Sequence, residues 1–291
     1  MAGSDRQAAL TRPPSRARRT DEQEHPPTHP GDAVKLELIL DAYNRRARLG
    51  PMLFVLLPVG LLAVAWIPVG SLTVVASAVP VALVLLVAAV FLAQLGRDQG
   101  KRKQADLFMS WGGSPTTQLL RHRGQPNPDE LKRLHRRIEA ILDTRLPTVE
   151  QETTDPGAAD ARYDAAVARL RQLTRDHAKF PLVFEENVNY GVRRNLWGMK
   201  PAGLALSLLA IVGTAAPGAY LFTQGASVPV LRLTVCAVAA LVLVVFWAAR
   251  FTPSWVRVAA DAYAEQLLLS IERLEPAKKA ESGLVLPEGM K

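Results

Sequence analysis

The chain has 291 residues, with 35 Lys and Arg against 27 Asp and Glu, a formal charge of +8, and 49% hydrophobic residues. The positive excess would suit nucleic acid, but it gathers beside two long uncharged blocks, where anionic lipid headgroups account for it better, and in the densest basic cluster, Arg121 to Arg137, no aromatic stacking residues are interleaved. A lone cysteine, Cys236, excludes an intrachain disulfide; lying in an apolar run, it reads as a small buried hydrophobe.

Residues 1–32 contain the stretch RPPSRARRTDEQEHPPTHPGD and have almost nothing to bury, so the cost of ordering dominates and a disordered tail is expected. Over 33–49, Val34, Leu38 and Ala42, with Leu36, Ile39 and Tyr43, fit an amphipathic helix. From Leu49 to Gly96 there is no Asp, Glu, Lys, Arg or His. About 20 apolar residues cross a hydrocarbon core, so this block reads as two spans, near 52–67 and 72–95, divided at Pro68 to Ser71. Pro58 and Pro80 are expected to kink them. The block starts too far into the chain to be the core of a cleavable signal peptide, and the chain is expected to stay uncleaved.

Residues 97–200 read as a polar helical insert. RDQGKRKQADLF extends the second span. Gly112 and Gly113 then allow a tight turn, Ser114 caps a short helix with Pro115 at its first position, and Gly124 ends it. The same device recurs with Asn127 and Pro128, burying Leu131, Leu134, Ile138 and Ile141. It recurs again with Asp155, burying Tyr163, Ala166, Val167, Leu170 and Leu173. Residues 201–251 form the second block, with Arg232 its one charge before Arg250, and divide at Thr223 to Ser227 into spans near 202–222 and 228–251. Residues 252–291 give a last helix, with Val256, Ala260, Tyr263, Leu267, Ile271 and Leu274 on one face, and a tail. Arg232 lies close enough to the outer turn to snorkel, and only Gly213, Thr214, Pro217 and Gly218 hint at a broken span.

The expected fold is therefore an all-α membrane protein, with four transmembrane helices in two hairpins plus a small cytoplasmic helical bundle. Lys and Arg flank the spans on the side of both termini and the insert, and the two tight turns carry none, which places termini and insert in the cytoplasm. Two similar strings, AYNRRARLGP (42–51) and NYGVRRNLWGMKP (189–201), lead into the blocks. Each offers a Tyr and an Arg pair at headgroup level and a Pro where a helix start tolerates a missing donor. If the strings are a duplication, the hairpins they anchor would be parallel repeats; chance is the alternative, since Arg-Arg occurs four times in the chain and the Arg-to-Pro spacing differs between the copies.

The candidate ligand site is Gly112, Gly113, Ser114, Thr116 and Thr117, whose backbone and hydroxyl donors face a helix start, together with Arg121, Arg123, Arg136 and Arg137 from the densest basic cluster. A capped structural turn and a solvated or lipid-facing basic face are the alternatives. The turn lacks the Gly-Lys-Ser/Thr ending of a phosphate loop. Glu185 and Glu186 are expected to pair with Arg193 and Arg194, forming a hinge between insert and membrane. No metal site, cofactor or catalytic set is indicated, and nothing supports an enzyme.

This architecture, from Ala33 to Leu274, resembles uncharacterised bacterial integral membrane proteins of similar size. It also looks like the four-helix membrane effectors of nucleotide-signalling defence systems. The resemblance implies a non-enzymatic inner-membrane protein, oligomeric, whose cytoplasmic bundle senses an anionic small molecule or a protein partner. A small channel or transporter, or a scaffold without a ligand, are the alternatives.

Overall fold

The computed structural model describes residues 48–66 and 71–275. The expected tail, the lead-in helix up to residue 47 with Arg45 and Arg46, most of the first divider, and the chain end after residue 275 lie outside the described residues. Those described are helical, with no strand among them: α1 Gly50–Trp66, α2 Ser71–Ser110, α3 Pro115–Leu120, α4 Pro128–Leu142, α5 Val149–Thr154, α6 Pro156–Leu173, α7 Pro181–Thr223, α8 Ser227–Arg250 and α9 Pro253–Leu269, closed by a 3-10 turn, Ser270–Arg273.

Two layers share these helices. In the apolar layer α1 and α2 run antiparallel: Gly96 sits against Met52, and Gly60 faces Leu85. Likewise α7 and α8 are antiparallel, with Gly203 against Trp247 and Gly218 against Leu233. The pairs meet where α1 lies along α7, Leu62 at Gly213, and where α2 crosses α7 at Gly100 and Gly198. A Cβ on Gly198 would stand 2.8 Å from the Gly100 nitrogen, so the two backbones touch. Small residues permit such approach between helices in lipid, where no hydrophobic drive holds them together. Phe54, Phe251 and Trp247 close the core of this layer, with ring centroids 4.5 to 5.9 Å apart.

The outer faces are apolar and open: Leu83, Val87 and Phe91 on α2, Leu209 and Val212 on α7, and Val238, Val242 and Val245 on α8 are exposed. A continuous apolar surface of this extent is a site for lipid or protein, not for water. Three helices are long and apolar enough to cross a membrane, in α2, α7 and α8, and α1 is a shorter apolar helix of 17 residues. The chain is a helical membrane protein.

At a rise of 1.5 Å per residue, the 40 residues of α2 and the 43 of α7 extend about 60 and 65 Å, roughly twice a hydrocarbon core. Both continue out of the apolar layer into a polar bundle of α3 to α6 and α9. Here the expectation about Pro201 is corrected. It does not open a helix but lies inside α7, as does Pro217, whereas Pro51 does sit at the start of α1. Neighbouring helices and serine or threonine side chains can support a proline in such a setting; Ser207 and Thr214 hydroxyls return to the carbonyls of Gly203 and Ala210 at 2.7 Å each. The suspected break around Gly213 to Gly218 is continuous helix.

The caps of the bundle follow the sequence closely. Ser114, Asn127 and Asp155 each accept a backbone N–H, with proline at the helix start. The short helix stops at Leu120, before Gly124, because Arg121 turns to extended backbone while its N–H still reaches the Thr117 carbonyl. Inside the bundle, Leu120, Ile138, Ile141, Tyr163, Val167, Leu170, Leu267 and Ile271 form one buried cluster. Leu173, expected on the buried stripe of α6, is exposed.

Candidate functional site

The glycine turn and the first arginines of the basic cluster do come together, but their charges are already answered from within the chain. Gly112 and Gly113 take φ of +79° and +129°, conformations that side chains disfavour. Ser114 Oγ accepts the Thr117 N–H at 3.3 Å and lies 3.0 and 2.7 Å from the Thr116 and Thr117 hydroxyls. Thr117 donates in turn to Asp164. Arg121 grips Asp160 with both arms of its fork, Nε to Oδ1 at 2.7 Å and Nη2 to Oδ2 at 2.6 Å, and donates from Nη1 to the Gly112 carbonyl at 2.6 Å. Such bidentate pairs fix geometry as well as charge.

Arg123 completes the network by reaching Asp160 and Glu152 at 3.2 and 3.3 Å. Glu152 is only 3% exposed, yet it is satisfied four ways: by the N–H groups of His122 and Arg123 at 2.8 and 3.1 Å, the Tyr163 hydroxyl at 2.9 Å, and the Arg123 guanidinium. Burial alone would raise its pKa; these donors and the arginine charge outweigh burial and hold the carboxyl below the usual range. Asp160 is held down likewise, against burial, by Arg121 and Arg123. Burial and the carboxylate beside it push the Tyr163 phenol well up. His135 is buried, which lowers its pKa, partly opposed by its hydrogen bond to the Leu120 carbonyl at 2.8 Å. The carbonyl can only accept, so Nε2 carries the proton.

The remaining candidate residues lie elsewhere. Arg136 is exposed on α4, and Arg137 donates to the Leu274 carbonyl at 2.7 Å, pinning the 3-10 turn. Of the expected hinge, Glu185 is exposed and Glu186 accepts from Asn189 at 3.4 Å. Arg193 turns to α9, donating to the Trp255 carbonyl at 3.0 Å, and Arg194 turns to α2, donating to Gln104 at 2.8 Å. The arginine pair thus joins α7 to two different neighbours.

A belt of cations and rings surrounds this junction. Lys103 lies 5.1 Å from the Trp197 ring, Arg193 and Arg250 flank Trp255 at 5.2 and 5.0 Å, and Arg257 lies 5.1 Å from Trp111. Lys200 donates to the Ala248 and Phe251 carbonyls at 2.8 and 3.0 Å, placing a cation at the negative end of α8. Arg257 also binds Asp261 and Gln118, and Gln118 holds the glycine turn through the Trp111 and Gly113 carbonyls. Bundle, turn and membrane-proximal helices are therefore linked by named bonds.

The acids Glu152, Asp160 and Asp164 escaped the sequence reading. Two local signals would have placed them: Thr148 and Gln151 form a capping box that starts α5 and fixes Glu152, and Asp160 and Asp164 are spaced one turn apart on α6. Among the described residues, no group of three or more His, Cys, Asp or Glu could hold a metal ion. Comparison of the chain with known families, with curated proteins and with solved structures finds no match.

Proposed function

We propose that the chain is a non-enzymatic bacterial inner-membrane protein of four spans, in which α1 with α2 and α7 with α8 form the two hairpins. The bundle and both termini lie in the cytoplasm, and the bundle senses an anionic ligand or protein partner and passes its state to the spans. One observation carries this reading: α2 and α7 are continuous from the polar bundle to the lipid-facing layer. A shift of their bundle ends must tilt or rotate the same rods within the bilayer. The orientation is supported by the belt, since cations collect at the bundle end, while the opposite end presents Trp66, Tyr220 and Phe222 as exposed rings. At 17 residues α1 reaches the short end of the spanning range. The open apolar faces suit a homo-oligomer in anionic lipid, in the manner of the four-helix effectors that the chain resembles.

Coupling is tested with spin labels at Trp66→Cys and Phe222→Cys, on a Cys236→Ser background in lipid nanodiscs. The label-to-label distance should change when the bundle is altered by Asp160→Asn, or by a ligand drawn from a panel of nucleotides. An unchanged distance distribution under every such condition would overturn the coupling.

A further inference from the structure

We infer a phosphate-ester site in the groove between α2, α6, α7 and α9, at the end remote from the glycine turn. Two adjoining cavities, of about 660 and 390 Å³, share Gln104, Arg171, Tyr190 and Tyr263, so they form one groove of ligand size. Its two ends differ in charge. At the larger end Arg121 is balanced by Asp160, and Asp164 also lines the wall. At the smaller end Arg171, Arg175, His177 and Arg194 converge, and no Asp or Glu lines the wall.

Three separate elements supply these cations: Arg171 from the last turn of α6, Arg175 and His177 from the following loop, and Arg194 from the middle of α7. The acid nearest in sequence, Asp176, is turned away onto the Ala178 N–H at 3.0 Å and the Lys179 ammonium at 3.7 Å. Arg194 is held by neutral groups, Gln104 and Asn195, which fix the guanidinium without cancelling its charge. The contrast with Arg121 and Arg123, each matched to a carboxylate, is what singles out this end. Planar guanidinium forks suit phosphate oxygens.

Between the two ends stand Tyr190 and Tyr263, stacked with centroids 6.3 Å apart and planes 6° from parallel. They offer a ring wall beside the cations, which fits a phosphate ester with a planar or apolar remainder. A soluble nucleoside monophosphate has that chemistry, and so does an anionic phospholipid headgroup, because Arg194 belongs to the membrane-proximal belt. The site deepens the sensing role proposed above and rests on it, but binding and coupling fail separately.

The test uses the full chain in phosphatidylcholine nanodiscs, titrated with AMP and with inorganic phosphate, and a second set of discs containing phosphatidylglycerol. Saturable AMP binding, weakened at least about tenfold in Arg171→Gln/Arg175→Gln, is expected for a soluble ligand. Tyr263→Ala should then weaken AMP but not inorganic phosphate. A rise in Tm with phosphatidylglycerol, absent in the double variant, assigns the site to lipid instead. Arg133→Gln/Arg136→Gln removes the same charge from exposed positions on α4 and should change neither response. The inference is overturned if neither probe acts on the wild-type chain, or if both double variants respond alike. AMP binding with no change in the spin-label distance would keep the site and remove the coupling; an AMP-induced distance change that persists in Arg171→Gln/Arg175→Gln would do the reverse.

Discussion

Trp247 and Glu152 are both buried, one in the apolar layer and one in the polar bundle, and they hold their surroundings by different means. Trp247 fills the space left by Gly203, whose Cβ, if present, would lie 2.2 Å from the indole. Apart from the Lys200 bonds at the end of α8, shape is what keeps α7 and α8 together, because lipid is as apolar as the helices themselves. Glu152 works by being satisfied: two backbone donors, a phenol and a guanidinium converge on it. In a water-facing bundle with a modest core, such a carboxylate sets the one arrangement in which the loop, α5 and α6 fit. Helices of the same kind are thus assembled by packing in one layer and by polar complementarity in the other.

The largest effect should come from Glu152→Ala, which strands the donors of His122, Arg123 and Tyr163. Breaking a buried, charge-assisted set costs about 3–5 kcal/mol. The polar bundle should lose amide protection while the apolar layer keeps it, as read by hydrogen exchange in nanodiscs; equal loss in both layers would erase the distinction. Gly203→Ala should do the opposite, costing about 1–3 kcal/mol by overpacking against Trp247. Its signature is altered tryptophan fluorescence and a weaker α7 and α8 hairpin, with the bundle unaffected.

A smaller and graded difference should appear with pH. His135 has a lowered pKa, so its contribution is complete above the ordinary histidine value of about 6.5 and declines as pH falls below it. Glu152 and Asp160 also have lowered values, so theirs is complete above the usual carboxylate pKa of about 4 and is lost as pH falls through the folded values. Residues 50–96 and 201–249 hold no Asp, Glu or His. Bundle protection should therefore fall in two stages on acidification while the apolar layer changes little; a parallel decline would contradict the separation.

Much of this arrangement was legible in the residues. The uncharged blocks announced the apolar layer, and Ser114, Asn127 and Asp155, each followed by proline, announced three helix starts. What local pattern could not give was which charges meet. Arg121 and Arg123 look like an anion site until the fold brings Asp160 from 37 and 39 residues away to quench them. Arg171 and Arg175 were passed over, and Arg194 was assigned to a hinge, for the same reason, since the three line one cavity only in the folded chain. The repeated string misled in its second copy, because proline signals a helix start and an in-line proline with the same letters. Pro51 opens α1, whereas Pro201 is carried within α7, next to the Gly100 and Gly198 crossing and the Lys200 cap on α8.

That difference is where the account is most exposed, for everything proposed about coupling requires α7 to be one rod. Amide hydrogen exchange of the full chain in nanodiscs, resolved along residues 189–210, tests it directly. A continuous helix predicts slow exchange on both sides of Pro201, with no faster segment between Tyr190 and Gly203. Rapid exchange confined to the residues flanking Pro201 would show a hinge, and the bundle and the membrane layer would then move independently.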